Sequence, residues 1–371
     1  MREILRFGAK QAIAMGLGSL LTIASVAEAF AGPHILVDVR TGKVIEHEDA
    51  FQKWYPASLT KLMTAYTTFR QIKAGRLSLD TPIVMSKRSA AEPASKMYLK
   101  PGDSLTLDDA LKVLLVKSAN DIAYAIAENV GGSKDNFVVM MNAEAERLGM
   151  NSSHFVNPNG LPGKGQYTTA RDLAVLTMAL RREFPEYAGY FKLEGVRVGK
   201  KDFGNYNKLI GRFAGADGMK TGFICASGFN QVSTATRNGH MVLSVVLGAD
   251  SLVGRADLSA RLLEKGLDSN PGFSAPSLYK LPAYGATRDM VTDVSEQICR
   301  KKGKKIRSES TDEAHDPKVK SPYSMEIGRP LNVALVTIIP AGKKKDGTML
   351  VDAGQGDIGF DIPIPEPRPV N

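Results

Sequence analysis

The segment that most restricts the fold of this 371-residue chain runs from Gly228 to Gly248. Two stretches of β character, Gly228 to Thr236 and Met241 to Gly248, are joined by Arg237-Asn238-Gly239-His240. Asn-Gly between apolar alternation marks a two-residue hairpin turn, whose central residues must both take positive φ. Just upstream stands Ala216-Asp217-Gly218-Met219-Lys220-Thr221-Gly222, so Lys-Thr-Gly opens an antiparallel meander. There Gly222 would let the sheet edge approach a ligand with no side chain between them, and Lys220 would project a fixed positive charge. A second hairpin is signalled between Ile35 and His47, where two β-rich runs flank Thr41-Gly42.

Helical signals surround these strands. Residues 57 to about 74 carry Leu59, Leu62, Met63, Tyr66, Phe69 and Ile72 at helical spacing, closed by Gly75. Pro56 suits the entry to that helix, because its fixed φ fits there and its missing N–H leaves nothing unpaired. Thr106-Leu107-Asp108-Asp109 opens a second helix as a cap with early carboxylates. That helix delivers Lys117-Ser118-Ala119-Asn120-Asp121, and helical character resumes from Ile122 to Ala127. A further helix spans Lys134 to Leu148 and is stopped by Gly149. Thr169 caps another to about Leu180, and Gly254-Arg255 opens a last long one, Ala256 to about Leu267. Residues 81–105 are mixed and loop-like, and the region near 191–198 is strand-like. Residues 150–169 form a Gly-, Pro- and Asn-rich loop, long enough inside a compact domain to suggest function. With 43% hydrophobic and 23% charged residues the composition is that of an ordinary globular protein, with room for one large domain and a smaller one.

The two ends read differently. Arg2, Arg6 and Lys10 precede an uncharged run from Gln11 to Ala27, followed by Ala27-Glu28-Ala29-Phe30-Ala31, the layout of a cleavable export signal. Cleavage is expected after Ala29 or Ala31, and the product is expected in the periplasm. Its removal takes away three basic and two acidic residues, lowering the formal charge from +9 to about +8. Exported basic proteins often work near anionic polymers such as cell wall or membrane surface. Nothing resembles a nucleic-acid motif. The histidines at 34, 47, 154, 240 and 315 have no ligand spacing, so neither a metal nor another cofactor is expected. Cys225 and Cys299 fit either one disulfide or two separate thiols. After Gly272 the composition shifts. Arg300 to Arg307 is basic and the polar stretch behind it is expected to be disordered. A small hairpin is expected within 331–351, and Pro363 to Val370 reads as an extended Pro-rich tail. The expected division is a signal segment 1–31, a domain 32–272 and a largely irregular extension 273–371.

The chemistry sits in three short patterns. Ser58 and Lys61, three apart at a helix start, are neighbours on one face. A hydroxyl is a poor nucleophile until a base removes its proton, and a half-buried lysine can be that base. Ser118-x-Asn120 would expose a hydroxyl and a carboxamide on a tight connection between helices. Taken singly each pattern is common, as a capping serine, a surface lysine or a helix stop. Taken in this order, with Ser118 following Ser58 by 60 residues and Lys-Thr-Gly on a strand, accident is an inadequate account.

On these residues the chain resembles the serine-type D-Ala-D-Ala carboxypeptidases, the low-molecular-weight penicillin-binding proteins. The resemblance covers roughly residues 33 to 270, and the flanking Pro-Ala-Ser-Leu-Thr-Lys-Leu-Met-Thr, Ser-Ala-Asn-Asp-Ile-Ala, Asn157-Pro158-Asn159-Gly160 and Asp-Gly-Met-Lys-Thr-Gly agree with it. It implies an α+β, β-lactamase/transpeptidase-like fold, a five-stranded antiparallel sheet flanked by helices. The substrates implied are peptidoglycan stem pentapeptides, with β-lactams as covalent inhibitors. Ser58 would attack the penultimate D-Ala carbonyl, Lys61 would act as base with its pKa lowered by burial and Lys220, and Ser118 would relay a proton to the leaving amine. Asn120 would hold Lys61 and the substrate amide. Backbone N–H groups of Ser58 and Phe223 would form the oxyanion hole. Lys220, Thr221, Gly222 and Arg255 would complete the substrate site, the arginine fork suiting a terminal carboxylate.

Two departures stand out. Family members often carry His-Thr after Lys-Thr-Gly, where this chain has Phe223-Ile224, so one hydroxyl is missing and the grip is expected to lean on Thr221 and Arg255. Tyr206 stands between two asparagines where relatives can carry a basic residue. The alternatives are a D,D-endopeptidase using the same machinery, a class A β-lactamase and a wall-binding pseudoenzyme. The β-lactamase is disfavoured because residues 150–175 hold no glutamate to activate deacylating water, and the pseudoenzyme because no motif is broken. Many relatives end in an amphipathic membrane-anchoring helix. Prolines interrupt any such stripe here, so no firm anchor is expected, although the basic run could touch anionic wall or lipid.

Overall fold

A computed structural model describes residues 32–299 and 321–342, which leaves the expected signal segment, the basic run and the Pro-rich tail outside the described residues. Its main sheet is built from β1 (His34–Asp38), β2 (Lys43–Glu48), β7 (Ala216–Ile224), β8 (Gly228–Arg237) and β9 (His240–Ala249), in the order β2-β1-β9-β8-β7. Every pairing in it is antiparallel. Both hairpins legible in the sequence are present. Asn238 and Gly239, with φ of 49° and 77°, form the tight turn between β8 and β9.

Side chains on successive strand residues point to opposite faces, and this sheet uses both. Leu36, Ala235, Val242 and Val246 form one core with Leu252, Ala256 and Leu263 of the helix α8 (Leu252–Leu267). Their neighbours Ile35, Val37, Val232, Leu243, Val245 and Leu247 belong to a larger core on the other face. That core is filled by α1 (Thr60–Lys73), α3 (Leu107–Val116), α4 (Asn120–Gly131), α5 (Lys134–Arg147) and α6 (Ala170–Glu183). The α+β sandwich expected from the motifs is therefore the observed one.

Helix starts follow their caps. Thr106, Ser133 and Thr169 each accept a backbone N–H three residues on, satisfying one of the donors a helix N-terminus leaves open. The last helix begins earlier than expected. Ser251 Oγ accepts from Gly254 N at 3.0 Å, so α8 starts at Leu252 and Gly254-Arg255 lies within its first turn. Helix α6 runs to Glu183, three residues past the expected end. Within the loop-like stretch 81–105, β3 (Pro82–Val84) pairs with β4 (Ser104–Thr106), and Ser86 caps the single turn α2 (Lys87–Ala90). The strand near 191–198 is shorter than its expected span: α7 (Ala188–Phe191) precedes β5 (Gly195–Val198), which pairs with β6 (Lys201–Gly204).

Residues beyond Gly272 stay in contact with the domain. Lys43 and Trp54 bridge to Ser277 and Thr292, and Leu278, Leu281, Val294 and Ile298 are buried in the larger core, the last on the turn α9 (Ser295–Ile298). Of the hairpin expected over 331–351, the described part forms β10 (Val333–Val336). It pairs in parallel with β5, and the second arm of the expected hairpin lies outside the described residues. No helix among the described residues is long and apolar enough to cross a membrane.

Candidate active site

The chain enters α1 through a clamped segment. Trp54 N donates to Thr168 O at 2.8 Å and Trp54 O accepts from Thr168 N at 2.9 Å, while its indole N–H donates to Ser227 O. Asn230 Nδ2 on β8 donates to Tyr55 O at 2.9 Å. Held at both ends, the turn Ala57–Leu59 tolerates a φ of +46° at Ala57, a conformation costly to a residue with a Cβ. Ser58 follows directly. One turn along, Lys61 has no solvent exposure, and its Nζ donates to Ser58 Oγ at 2.9 Å, Asn120 Oδ1 at 2.8 Å and Asn159 O at 2.7 Å. An ammonium carries three donors. Here all three meet oxygens.

Those oxygens are themselves fixed. Asn120 opens α4, donating from N to Ser95 O at 2.7 Å and from Nδ2 to Pro93 O at 3.0 Å. Asn159 Nδ2 donates to Glu92 Oε2 at 2.7 Å, and Glu92 pairs with Arg88 at 2.6 Å. The loop 150–169 can come this close because of Gly160. At φ +84°, a Cβ there would sit 1.8 Å from Ala57 O. In the sequence Asn159 is legible only within a family motif, and Glu92 carries no signal there, since nothing local to residue 92 points to residue 159. Glu92 stands behind Asn159 and does not line the cleft, so it does not take the place of the deacylating glutamate that residues 150–175 lack.

Strand β7 forms the opposite wall. A Cβ on Gly222 would lie 2.8 Å from Ser58 N and 3.0 Å from Leu59 N. The glycine therefore allows the strand to abut the backbone N–H of the nucleophile, where two converging donors would serve an oxyanion. Lys220 is buried and its Nζ donates to Thr221 O at 2.9 Å. Ser118, at φ +60°, and Thr221 each bury a hydroxyl with no hydrogen-bonding partner among the described residues. Buried hydroxyls are nearly always paired, so orphaned ones at a cleft call for a ligand or solvent.

The cleft itself encloses about 280 Å³ and is lined by Ser58, Ser118, Asn120, Phe223 and Ile224, with Lys61 beneath Ser58. Arg255 is not part of that lining. Because α8 starts at Leu252, Arg255 falls on the helix face packed against the sheet, fully buried, with Nη2 donating to Tyr206 O at 3.2 Å. Its guanidinium lies 5.5 Å from the Phe229 ring centre, and Phe229 in turn tilts against Phe223 at 4.3 Å. The expected grip through Arg255 is thus replaced by a supporting position one layer back. Beside this wall a disulfide joins Cys225, the residue after β7, to Cys299. Two cleft cations escaped sequence reading, Lys96 and Lys117.

Comparison with known proteins shows the family and the fold. Residues 21–251 match the family model described as D-alanyl-D-alanine carboxypeptidase. The D-alanyl-D-alanine carboxypeptidase DacC of Escherichia coli is 36% identical over 239 residues, covering 62% of this chain and 60% of the relative. The chain spans about three-fifths of the length of the curated relatives it matches. The crystal structure of the D-alanyl-D-alanine carboxypeptidase DacD from Francisella tularensis superposes with a TM-score of 0.64 at 32% identity, over 70% of this chain and 74% of that one. A penicillin-binding protein from Listeria monocytogenes in its ampicillin-bound form superposes with a TM-score of 0.59 at 29% identity, over 64% of this chain and 97% of that one. With the Ser-x-x-Lys, Ser-x-Asn and Lys-Thr-Gly elements meeting at one cleft of the transpeptidase-like fold, the chain belongs to the D-alanyl-D-alanine carboxypeptidase family.

Proposed function

We propose that the protein is an exported serine D,D-carboxypeptidase that removes the terminal D-alanine from peptidoglycan stem pentapeptides and is acylated by penicillins. The observation that carries this reading is the placement of Lys61 Nζ between Ser58 Oγ, Asn120 Oδ1 and Asn159 O. In its neutral form Lys61 takes the Ser58 proton as Oγ attacks the penultimate D-Ala carbonyl carbon. The carbonyl oxygen becomes an oxyanion held by the N–H groups of Ser58 and Phe223. Collapse of the tetrahedral centre breaks the peptide C–N bond. The proton reaches the leaving nitrogen through Ser118, and D-alanine departs. Water, deprotonated by the same lysine, then cleaves the Ser58 ester and restores the hydroxyl. Asn120 orients both Lys61 and the substrate amide, while Lys220, Thr221 and Gly222 form the wall along which the peptide lies. A β-lactam presents a strained amide to the same serine, and its acyl-enzyme is the inhibited form.

The test is to incubate the purified protein with a fluorescent penicillin and, separately, with a D-Ala-D-Ala pentapeptide, beside Ser58→Ala. Covalent labelling and D-alanine release, both lost in the variant, support the reading. Rapid penicillin hydrolysis without D-alanine release would instead make it a β-lactamase.

A further inference from the structure

The cleft is cationic. Lys96 and Lys117 line it and no aspartate or glutamate does. Lys96 Nζ is turned back to Ala90 O at 3.0 Å and lies over the Tyr98 ring. Lys117 is held differently. Its Nζ donates to Tyr206 Oη at 3.0 Å and stands 5.3 Å and 5.5 Å from the ring centres of Tyr206 and Phe203. Aromatic faces stabilise a cation without neutralising it, and among the described residues no carboxylate lies within salt-bridge distance of this ammonium. The phenol that accepts from Lys117 keeps its own hydrogen to donate. Its backbone is braced from behind, since Tyr206 O accepts from Arg255 Nη2. Next along the chain is Ser118, whose buried hydroxyl has no hydrogen-bonding partner among the described residues.

We infer that Lys117, positioned by Tyr206, is a specificity-determining residue that binds the carboxylate of the departing C-terminal amino acid. The inference rests on the carboxypeptidase reading above. If Ser118 hands its proton to the leaving nitrogen, the carboxylate of that residue is attached to the carbon next to that nitrogen. It must therefore sit on the Ser118 side of the cleft, where Lys117 offers an uncompensated charge and Tyr206 a phenolic donor. Charged hydrogen bonds to a carboxylate are the stronger kind. Lys220 adds positive charge from the strand side but is deeper, its amine engaged with Thr221 O. Arg255, fully buried, supports this subsite through its hydrogen bond to Tyr206 O.

The experiment compares the wild type with Lys117→Met, Lys117→Arg and Tyr206→Phe on two peptides ending in D-Ala-D-Ala, one a free acid and one a C-terminal amide. Lys117→Met should raise KM for the acid by roughly ten- to a hundredfold, the effect of losing one charged hydrogen bond. It should leave KM for the amide within about twofold and kcat for the acid within about threefold of the wild type. Lys117→Arg should recover most of the loss, and Tyr206→Phe should fall between. Equal losses on both peptides, or a KM for the acid unchanged in Lys117→Met, would overturn the inference. Calorimetric binding of both peptides to Ser58→Ala, with and without Lys117→Met, reads the same acid preference without turnover. A wild type that releases no D-alanine would refute the carboxypeptidase reading, while this binding comparison would still decide the role of Lys117.

Discussion

Lys61 Nζ lies 2.9 Å from Ser58 Oγ, and it is the only one of the two side chains wholly removed from solvent. The pair is local in sequence, being three residues apart on one helical face, but its environment is not. Asn120 and Asn159, which take the remaining amine hydrogens, come from two other segments. A base surrounded in this way cannot swing away from its nucleophile without abandoning two further hydrogen bonds.

Replacing that base without changing the volume of the site should separate chemistry from folding. Lys61→Met is expected to reduce penicillin acylation and D-alanine release by about a thousandfold or more, in keeping with the loss of a positioned general base. Circular dichroism and Tm should remain those of a folded protein. Acylation by a fluorescent penicillin at a rate near that of the wild type would contradict the assignment.

The contact between Gly222 and the nucleophile makes a steric prediction. In Gly222→Ala the new methyl would meet the backbone nitrogens of Ser58 and Leu59 at 2.8 Å and 3.0 Å, so strand or turn must shift. Because displacements near 1 Å at reacting groups cost on the order of a hundredfold, the acylation rate should fall by about that much. Chemical denaturation should show a much smaller change, since the crowding is confined to the cleft wall. A variant with wild-type acylation would mean that β7 does not set the geometry at Ser58.

Reduction should loosen the segment beyond Gly272. The Cys225–Cys299 bond closes a sequence separation of 74 residues, for which the chain-entropy model assigns about 4 kcal/mol of stabilisation. Cys225→Ser with Cys299→Ser is expected to lower stability by about 2–4 kcal/mol in urea titration. Proteolysis should become faster between residues 273 and 299. If the midpoint is the same with and without reductant, the bond is not formed in the protein.

Asp38 gives a pH dependence of known sign. Burial pushes its carboxyl up, but the N–H and hydroxyl of Thr41 and the His240 ring outweigh it and hold the group below the usual carboxylate range. A depressed folded-state value means that the carboxylate stabilises the fold above its unfolded value of about 3.9 and that this is lost as pH falls through the folded one. Asp38→Asn should therefore be less stable than wild type at pH 7, by about 2 kcal/mol, and the gap should close towards pH 3. Thermal melts across that range provide the check, and a gap that widened in acid would reverse the assignment.

What could be read directly from the chain was what depends on neighbours a few residues away. The hairpin turn at Asn238-Gly239, the caps at Thr106 and Thr169 and the adjacency of Ser58 to Lys61 all follow from strand or helix period and turn chemistry. The order of the three motifs carried the family. Tertiary structure alone decided the rest. Asn159 reaches Lys61 across 98 residues, Lys117 reaches Tyr206 across 89, and Cys225 reaches Cys299 across 74. Arg255, which the sequence allows as a carboxylate ligand, is drawn behind the wall because a cap at Ser251 sets the helix phase and packing against the sheet buries that face. Such pairings depend on how the sheet and its covering helices dock, and short-range patterns carry little information about docking.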